Sequence, residues 1–233
     1  PKTSRRKLPP LGLTVAVALV GMSPLLPAYS EESPRPINFY FVQDADTREA
    51  KLAIHPGKRA LPDALIEAVD WADELGILYP WALGPPAFHT AAVGPLAVPA
   101  PQLEILEEVP KSSSRQIQAI LRTPRQADQG ALVFTDSSRV VSLSLDGWEL
   151  DLQDEALVRV FEGELRVVVL ATFPDEGIEM DLEIRGDQPV ELTIVDSTFG
   201  LPPAGEVLLH ARPADVVHID RGDRTIVFTK VRL

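Results

Sequence analysis

The sequence predicts a mainly β protein, an antiparallel β-sandwich with one short helix, preceded by an N-terminal transmembrane helix. Apolar and polar residues alternate in several segments after residue 102, as is typical of antiparallel strands with one buried and one solvated face. Residues 8–30 contain no charged side chain. A helix of that length reaches about 34 Å, which is enough to cross a hydrocarbon core of about 30 Å.

The composition is that of a globular protein rather than a disordered or fibrous one. Of the 233 residues, 45% are hydrophobic and 24% are charged, close to the averages for folded domains. The net charge of −12 predicts no nucleic-acid partner, because so acidic a surface repels phosphate backbones. The absence of cysteine excludes disulfides, thiolate catalysis and zinc sites built on thiolates.

The charges on either side of the apolar segment predict its orientation in a membrane. Four basic residues precede it and two acidic residues follow it: Lys2, Arg5, Arg6, Lys7, Glu31 and Glu32. Basic flanks stay on the cytoplasmic side. We therefore expect residues 1–30 to form a cytoplasmic flank and a single membrane span. Residues 31–233 would form an extracytoplasmic β-rich domain, in the periplasm or outside the cell.

Two alternatives for this segment stay open. The apolar run Leu11–Val20 followed by Ala28–Ser30 also fits a cleaved signal peptide with a small-x-small site. Pro24 and Pro27 count against a membrane helix, because they would kink or end it. A buried core helix is the third interpretation. The chain begins with Pro1, whereas a signal peptide follows a start codon, so we expect a membrane helix within a longer protein.

The first strands are predicted from a short aromatic and β-branched segment, residues 37–42. A polar turn at 44–48 follows, and residues 49–54 are predicted to return as the hairpin partner.

One helix is predicted, over residues 62–75. Pro62 suits a first helical turn, and Gly76 suits a stop. Apolar residues recur at helical spacing and predict a stripe that faces the core: Leu65, Ile66, Val69, Ala72 and Leu75. Six prolines then fall within residues 79–101, which we expect to form an extended internal linker.

The second half of the chain carries the clearest strand patterns. Residues 178–185 alternate strictly between apolar and charged, and residues 141–145 alternate between apolar residues and serine. A turn at 185–188 predicts that residues 190–194 form the hairpin partner of 178–185. Residues 165–170 are nearly all apolar and predict a central strand that is covered on both faces.

The search for a reactive centre predicts no catalytic, cofactor-binding or metal-binding residue. The candidates for a metal site are four histidines and two aspartates: His55, His89, His210, His218, Asp215 and Asp220. They form no His-Glu-x-x-His pattern. A carboxylate–histidine site near residues 210–220 is one interpretation, and ordinary loop or strand-end residues are the other. The sequence has no nucleophile elbow, phosphate-binding glycine loop or dinucleotide fingerprint.

Two further features allow a functional and a structural interpretation. Trp71, Trp81 and Phe88 lie next to or within the proline-rich segment. They would line a ligand groove or form a structural patch of aromatic rings against prolines. The tripeptide Arg-Gly-Asp occurs at 185–187 and again at 221–223. Both copies are interpreted as turns between strands rather than as adhesion motifs.

Several short segments carry a resemblance to a known family: Arg35-Pro36, Asp44–Ala50, Val195–Pro202, Arg212–Ala214 and Gly222–Val227. In this order and spacing, after a membrane segment, they resemble the C-terminal region of bacterial membrane-bound zinc metallopeptidases of peptidase family twenty-eight. The endoplasmic-reticulum metallopeptidase is a eukaryotic member of that family. The resemblance extends from about the membrane segment to Leu233.

The resemblance implies an architecture and a function. Such proteins have an N-terminal di-zinc aminopeptidase domain, several membrane helices and a β-rich domain outside. Their zinc ligands and catalytic carboxylate lie in the N-terminal domain, and no residue here matches them. This chain would be the last membrane helix and a non-catalytic accessory C-terminal domain of a hydrolase, without a cofactor of its own, while the missing domain holds two zinc ions. Its partners would be the membrane and that missing N-terminal peptidase domain.

Two alternative functions stay open beside this one. The first is a free-standing exported or membrane-anchored β-sandwich that binds a peptide, carbohydrate or protein partner. The second is a hydrolase that uses the histidines and aspartates near residues 210–220.

Overall fold

A computed structural model of the chain describes residues 29–56, 60–81, 87–153, 158–160, 165–219 and 222–233. The described part is mainly β, as predicted, and its helices are short. Apart from Tyr29 and Ser30, the predicted membrane segment 8–30 lies outside the described residues. None of the helices within the described ranges has the length and apolar character that a membrane crossing requires.

The fifteen described strands differ widely in length. They are β1 (Arg35–Pro36), β2 (Phe39–Asp44), β3 (Ala50–Ile54), β4 (His89–Val93), β5 (Gln102–Pro110), β6 (Ser114–Arg122), β7 (Gln129–Phe134), β8 (Val140–Leu145), β9 (Trp148–Leu150), β10 (Val158–Val160), β11 (Arg166–Leu170), β12 (Ile178–Arg185), β13 (Glu191–Phe199), β14 (Val216–Val217) and β15 (Arg224–Arg232). The described residues form two α-helices, α1 (Asp63–Ile66) and α2 (Glu206–Ala211). Short 3-10 turns lie at Ser137–Arg139 and Pro203–Gly205.

The strands form three sheets. The largest has the order β10-β11-β7-β13-β15-β2-β3-β4, the second has the order β5-β6-β12-β8-β9, and β1 pairs with β14 alone. The largest sheet is not purely antiparallel, because β15 and β2 run parallel, with Arg224 paired with Tyr40 at one end and Phe228 paired with Asp44 at the other. These two strands come from opposite ends of the chain, so no short turn forces them to run antiparallel.

Three hydrophobic clusters hold the sheets together. The first contains side chains of both large sheets, among them Leu132 and Ile194 from the eight-stranded sheet and Leu182 from the five-stranded sheet. The second joins β2 and β3 to both helices and includes Phe39 and Leu208. The third covers the other face of the eight-stranded sheet with the segment that precedes β4.

Several predicted strands are confirmed. Segment 37–42 overlaps β2 and segment 49–54 contains β3, and these two strands pair antiparallel. Segment 141–145 lies within β8, and segment 178–185 coincides with β12. Segment 165–170 contains β11, an internal strand between β10 and β7. Its neighbouring side chains Val167 and Val168 lie in different clusters on opposite faces, as predicted, although Val169 is 42% exposed.

The predicted hairpin between residues 178–185 and 190–194 is wrong. Strand β12 pairs with β6 and β8, whereas β13 pairs with β7 and β15 in the other large sheet. The turn at 185–188 therefore carries the chain from one sheet to the other. Strand β13 is buried on both faces, with Ile194 in the core between the sheets and Val195 in the opposite cluster. Alternation identifies a strand and its faces but not its partner.

The predicted helix 62–75 is much shorter in the structure, where only Asp63–Ile66 is α-helical. Beyond it the backbone turns to contact β4, and the Ala72 N–H donates to the Thr90 carbonyl at 2.8 Å. Hydrogen bonding to a strand replaces the helical pattern, so the apolar stripe does not face the core as a unit. Leu75 is consequently 41% exposed.

The predicted linker 79–101 contains β4 within it. Residues 94–101 then lead from β4 in the eight-stranded sheet to β5 in the five-stranded sheet. The Gln43 side chain holds this connection through two hydrogen bonds to the backbone of Leu96, at 2.8 and 3.0 Å.

Candidate functional site

Two sites stand out in the described structure: a group of Arg–Asp pairs around the start of β15, and a groove on the eight-stranded sheet. The Arg–Asp pairs link Arg125 to Asp196, Arg224 to Asp128, and Arg212 to Asp223. We refer to them together as the Arg–Asp frame.

The most deeply buried pair of the frame joins β13 to the turn before β7. The Asp196 side chain is fully buried and accepts hydrogen bonds from the Arg125 guanidinium. Arg125 also donates to the Thr198 hydroxyl at 3.1 Å. Burial raises the pKa of Asp196 above its ordinary value, while Arg125 and the Val227 N–H act in the opposite direction. A carboxylate enclosed in this way holds the strands together and cannot reach a ligand in solvent.

The second pair lies beside the first. Arg224 donates to a carboxylate oxygen of Asp128 at 2.8 Å and to the Ser197 hydroxyl at 2.8 Å. Its guanidinium also stacks over the Phe199 ring, 4.6 Å from the centroid. Arg224 therefore ties three elements together and covers one side of an exposed aromatic ring.

The third pair ties α2 to β2 and β15. Arg212 donates to both carboxylate oxygens of Asp223 at 2.7 Å, and one of these oxygens also accepts the Phe39 N–H at 2.8 Å. The Arg212 guanidinium lies 4.1 Å from the centroid of the Phe39 ring. Asp223 belongs to the second Arg-Gly-Asp tripeptide, and these contacts occupy its carboxylate.

We expect Asp223→Asn to destabilise the domain by about 2–3 kcal/mol, because it removes the charge that pairs with a partly buried Arg212. Urea unfolding followed by tryptophan fluorescence would measure this loss. The matched control is Asp187→Asn in the first Arg-Gly-Asp tripeptide. Asp187 is exposed, and we expect that change to stay within about 0.5 kcal/mol. Equal losses for the two variants would contradict the proposed structural role of Asp223.

The segments that carry the family resemblance meet around β15. Residues 195–202, 212–214 and 222–227 contribute to the Arg–Asp frame. Strand β1, at Arg35-Pro36, pairs with β14. In the segment 44–50, the Asp46 carboxylate accepts the Thr229 hydroxyl and the Lys230 N–H. Segments about 180 residues apart are therefore in contact, and two side-chain bonds, Arg212 to Asp223 and Arg224 to Ser197, join one resembling segment to another.

The second site is a groove of about 500 Å³ on the face of the eight-stranded sheet opposite the helices. We call it the sheet groove. Its lining residues come from β2, β3, β4 and β15, from the turn between β2 and β3, and from the segment before β4: Val42, Asp44, Arg48, Glu49, Ala50, Lys51, Ala72, Leu78, Pro80, Thr90, Ala92, Val93 and Phe228. Most of these side chains are apolar, and the charged ones cluster near the turn.

Lys51 is the half-buried cation of the sheet groove. Its ammonium donates to the Ile77 carbonyl at 2.6 Å. Burial lowers the pKa of Lys51, and nearby Glu49 acts in the opposite direction. No ion pair joins Lys51 to an aspartate or glutamate of the described residues. A cation so placed is suited to bind an anionic group that enters the groove.

The structure separates the candidate metal ligands. The His55 ring packs against Phe88 at 5.2 Å and the His89 ring against Trp71 at 6.2 Å, while His210 lies in the last turn of α2. Asp220 lies outside the described residues. Within the described ranges, no three or more histidine, aspartate or glutamate side chains are grouped to hold a metal ion.

The aromatic candidates do not form one group, because Trp71 lies against the second hydrophobic cluster whereas Trp81 and Phe88 lie against the third. Trp71 lies against the second cluster and donates to the Leu65 carbonyl at 2.8 Å. Trp81 stacks on Tyr79 and meets Phe228 edge-on, both at 5.1 Å between ring centroids. Phe228 also lines the sheet groove, so Trp81 packs against one wall of that groove.

Sequence reasoning missed the sheet groove. One local signal was present: Lys51 lies within β3, where it is the only charged residue of Ala50–Ile54. Fold and site together define a class, a mainly β domain with two large sheets and an open groove of ligand size. Compared with known families and with curated proteins, the chain matches no family model and no curated protein.

Proposed function

We propose that this chain is the C-terminal, extracytoplasmic accessory domain, with the last membrane helix, of a zinc-dependent aminopeptidase of peptidase family twenty-eight. One observation carries the proposal. Four of the five segments that resemble the family, at 44–50, 195–202, 212–214 and 222–227, form part of β15 or contact it or the residue before it, while 35–36 pairs with β14. Segments that pack around one strand are expected to occur together in the members of a family, because the packing of each segment depends on the residues that it contacts.

The accessory role is non-catalytic, and the two zinc ions belong to the missing N-terminal domain. The aspartates of the Arg–Asp frame support this role because their carboxylates are occupied by arginines. The domain would contribute to folding, assembly or substrate access of the peptidase. We further propose that the two large sheets form a β-sandwich, since one hydrophobic cluster contains side chains of both.

The linker between the predicted membrane span and the first strand of the domain is short. Four residues, 31–34, separate the predicted span from β1, and an extended chain of that length covers at most about 14 Å. Arg35 fixes the start of the domain by donating to the carbonyls of Ala60 and Pro56. The domain would therefore lie close to the non-cytoplasmic surface of the membrane that the helix spans, in the periplasm or outside the cell.

A second function has support from the sheet groove alone. A free-standing exported or membrane-anchored β-sandwich would use such a groove to bind a peptide or another small ligand. This alternative shares the predicted location with the first proposal but requires no peptidase domain.

The reading frame upstream of Pro1 tests the accessory role. We expect it to encode a zinc peptidase domain and further apolar spans, and a start codon directly before Pro1 would contradict the proposal. The complete protein should release amino acids from aminoacyl chromogens only when zinc is present, and the chain alone should release none. Zinc-dependent turnover by the chain alone would instead favour a hydrolase within it.

The location is tested separately. Alkaline phosphatase fused after Leu233 is expected to be active, because it folds only outside the cytoplasm. A fluorescent protein fused there that glows in the cytosol would contradict an extracytoplasmic domain.

A further inference from the structure

We infer that the sheet groove binds the C-terminal end of a short peptide or an N-acylated amino acid, with an apolar side chain and a free carboxylate that Lys51 binds. This inference goes beyond the proposed function, since it applies equally to an accessory domain and to a free-standing protein.

The size and the walls of the groove fit such a ligand. Its volume of about 500 Å³ lies within the range of pockets that enclose small organic molecules. Val42, Leu78, Ala92 and Phe228 provide an apolar surface along the sheet. An aliphatic or aromatic side chain of the ligand would bury its surface there and gain the hydrophobic free energy of that burial.

The charges of the groove favour an anion at its inner end. Four charged residues line it. Asp44 is already engaged, because one carboxylate oxygen accepts two backbone N–H groups of its own turn. Arg48 and Glu49 are exposed at the rim. Lys51 is half-buried within β3, and it is the half-buried cation among the four.

The ammonium of Lys51 retains bonding capacity. It carries three N–H donors, and one of them is satisfied by the Ile77 carbonyl at 2.6 Å. The half-buried ammonium has lost part of its hydration, and although Glu49 lies nearby, no ion pair joins Lys51 to a carboxylate of the described residues. A ligand carboxylate would supply a directly bonded counter-ion. An apolar side chain next to a carboxylate is the chemistry of a peptide C-terminus.

The test is an NMR titration of the full chain in detergent micelles with two matched probes, N-acetyl-L-leucine and N-acetyl-L-leucinamide. The probes differ in the carboxylate alone. We expect the acid to shift the backbone amide signals of Val42, Lys51 and Ala92 with a Kd of about 1 mM or lower, and the neutral amide to bind at least about tenfold more weakly. Equal binding of both probes, shifts confined to other residues, or no saturable shift would overturn the inference.

Variants identify the anion-binding group. Lys51→Met is expected to weaken binding of the acid at least about tenfold and to leave binding of the amide unchanged. The control Lys230→Met removes an exposed lysine that pairs with Glu191 and should not alter binding. If Lys51→Met fails to fold, Ala92→Leu provides a second test, because it narrows the groove from an exposed position on edge strand β4. Undiminished binding of the acid by a folded Lys51→Met or Ala92→Leu variant would overturn the inference.

These outcomes are independent of the proposed peptidase parentage. That proposal depends on the upstream reading frame and on zinc-dependent activity of the complete protein, neither of which the titration measures. A groove that binds no carboxylate would contradict the binding inference but not the accessory role. A start codon directly before Pro1 would contradict the accessory role but not the binding inference.

Discussion

Replacing Arg125 by methionine should destabilise the folded domain by about 3–5 kcal/mol, the cost of leaving a buried charge without its partner. The Asp196 side chain is fully buried, and only 9% of the Arg125 side chain is exposed. Methionine fills part of the space of the arginine stem but donates no hydrogen bond. The carboxylate would then have to stay charged in an apolar setting or take up a proton.

Urea unfolding at neutral pH, followed by circular dichroism, measures this loss. Arg122→Met is the matched control, because Arg122 pairs with Glu104 at 3.6 Å while both side chains remain 40% or more exposed. Exposed pairs contribute at most about 1 kcal/mol. The double variant Arg125→Met with Asp196→Asn should lose less than the sum of its two single variants. Strictly additive losses would show that the two side chains are not coupled.

The destabilisation caused by Arg125→Met should change with pH in a definite direction. Burial raises the pKa of Asp196 above its ordinary value of 3.8, so at pH values between the unfolded and the folded pKa the folded state holds a proton that the unfolded chain has already released. The stability from this proton uptake is fully present below the unfolded pKa and is lost as pH rises through the folded pKa. Removing Arg125 removes the main opposing charge and raises the pKa further.

We therefore expect the destabilisation by Arg125→Met to be smaller at about pH 4.5 than at about pH 7.5. The same urea titrations, repeated at the two pH values for the wild-type and variant proteins, test this. A penalty that stays constant or grows towards acid pH would contradict a buried, proton-binding Asp196.

Replacing Gly130 by alanine should cost about 3 kcal/mol or prevent folding, because it overpacks a rigid site. A Cβ atom there would lie 2.3 Å from the Val195 carbonyl oxygen and 2.5 Å from the Phe173 ring. Gly130 is in β7, an internal strand between β11 and β13. Neither the backbone oxygen nor a ring in the packed cluster can move aside without separating strands.

Gly94→Ala is the control for this substitution. Gly94 follows β4, and a Cβ atom there would meet no heavy atom within 4 Å. We expect this variant to be neutral or slightly more stable, since alanine reduces the freedom of the unfolded chain. Thermal unfolding of the two variants side by side tests the pair. A Gly130→Ala protein as stable as the wild type would show that strand β7 can shift more freely than its contacts imply.

Local patterns in the sequence were sufficient to predict many strands, because alternation requires only one solvated and one buried face. Residues 178–185 alternate in that way and form β12. The same pattern, with the turn at 185–188, predicted that residues 190–194 form a hairpin with β12. In the structure the chain instead passes from one sheet to the other at that turn. The helix predicted over 62–75 is wrong beyond its first turn for a related reason, since the Ala72 amide bonds to β4.

The candidate sites were less predictable than the strands. The aspartates of the Arg–Asp frame resemble ordinary polar residues in the sequence. Asp196, however, is fully buried because Arg125, distant in the sequence, folds over it. The sheet groove likewise requires Lys51 on β3 and Leu78 on the segment before β4 to lie on the same face of one sheet. Such contacts join residues that no local periodicity connects.

The sequence by itself determined the strand-rich class, the absence of thiol chemistry, the acidic charge and the faces of strands such as β12. These properties depend on composition and on neighbours within a few residues. Only the tertiary structure decided which strands pair, where the short helix ends, and that the charges of Asp196 and Lys51 lie in buried or half-buried settings. Pairing and burial are set by long-range packing, because each strand gains its stability from partners far away in the chain.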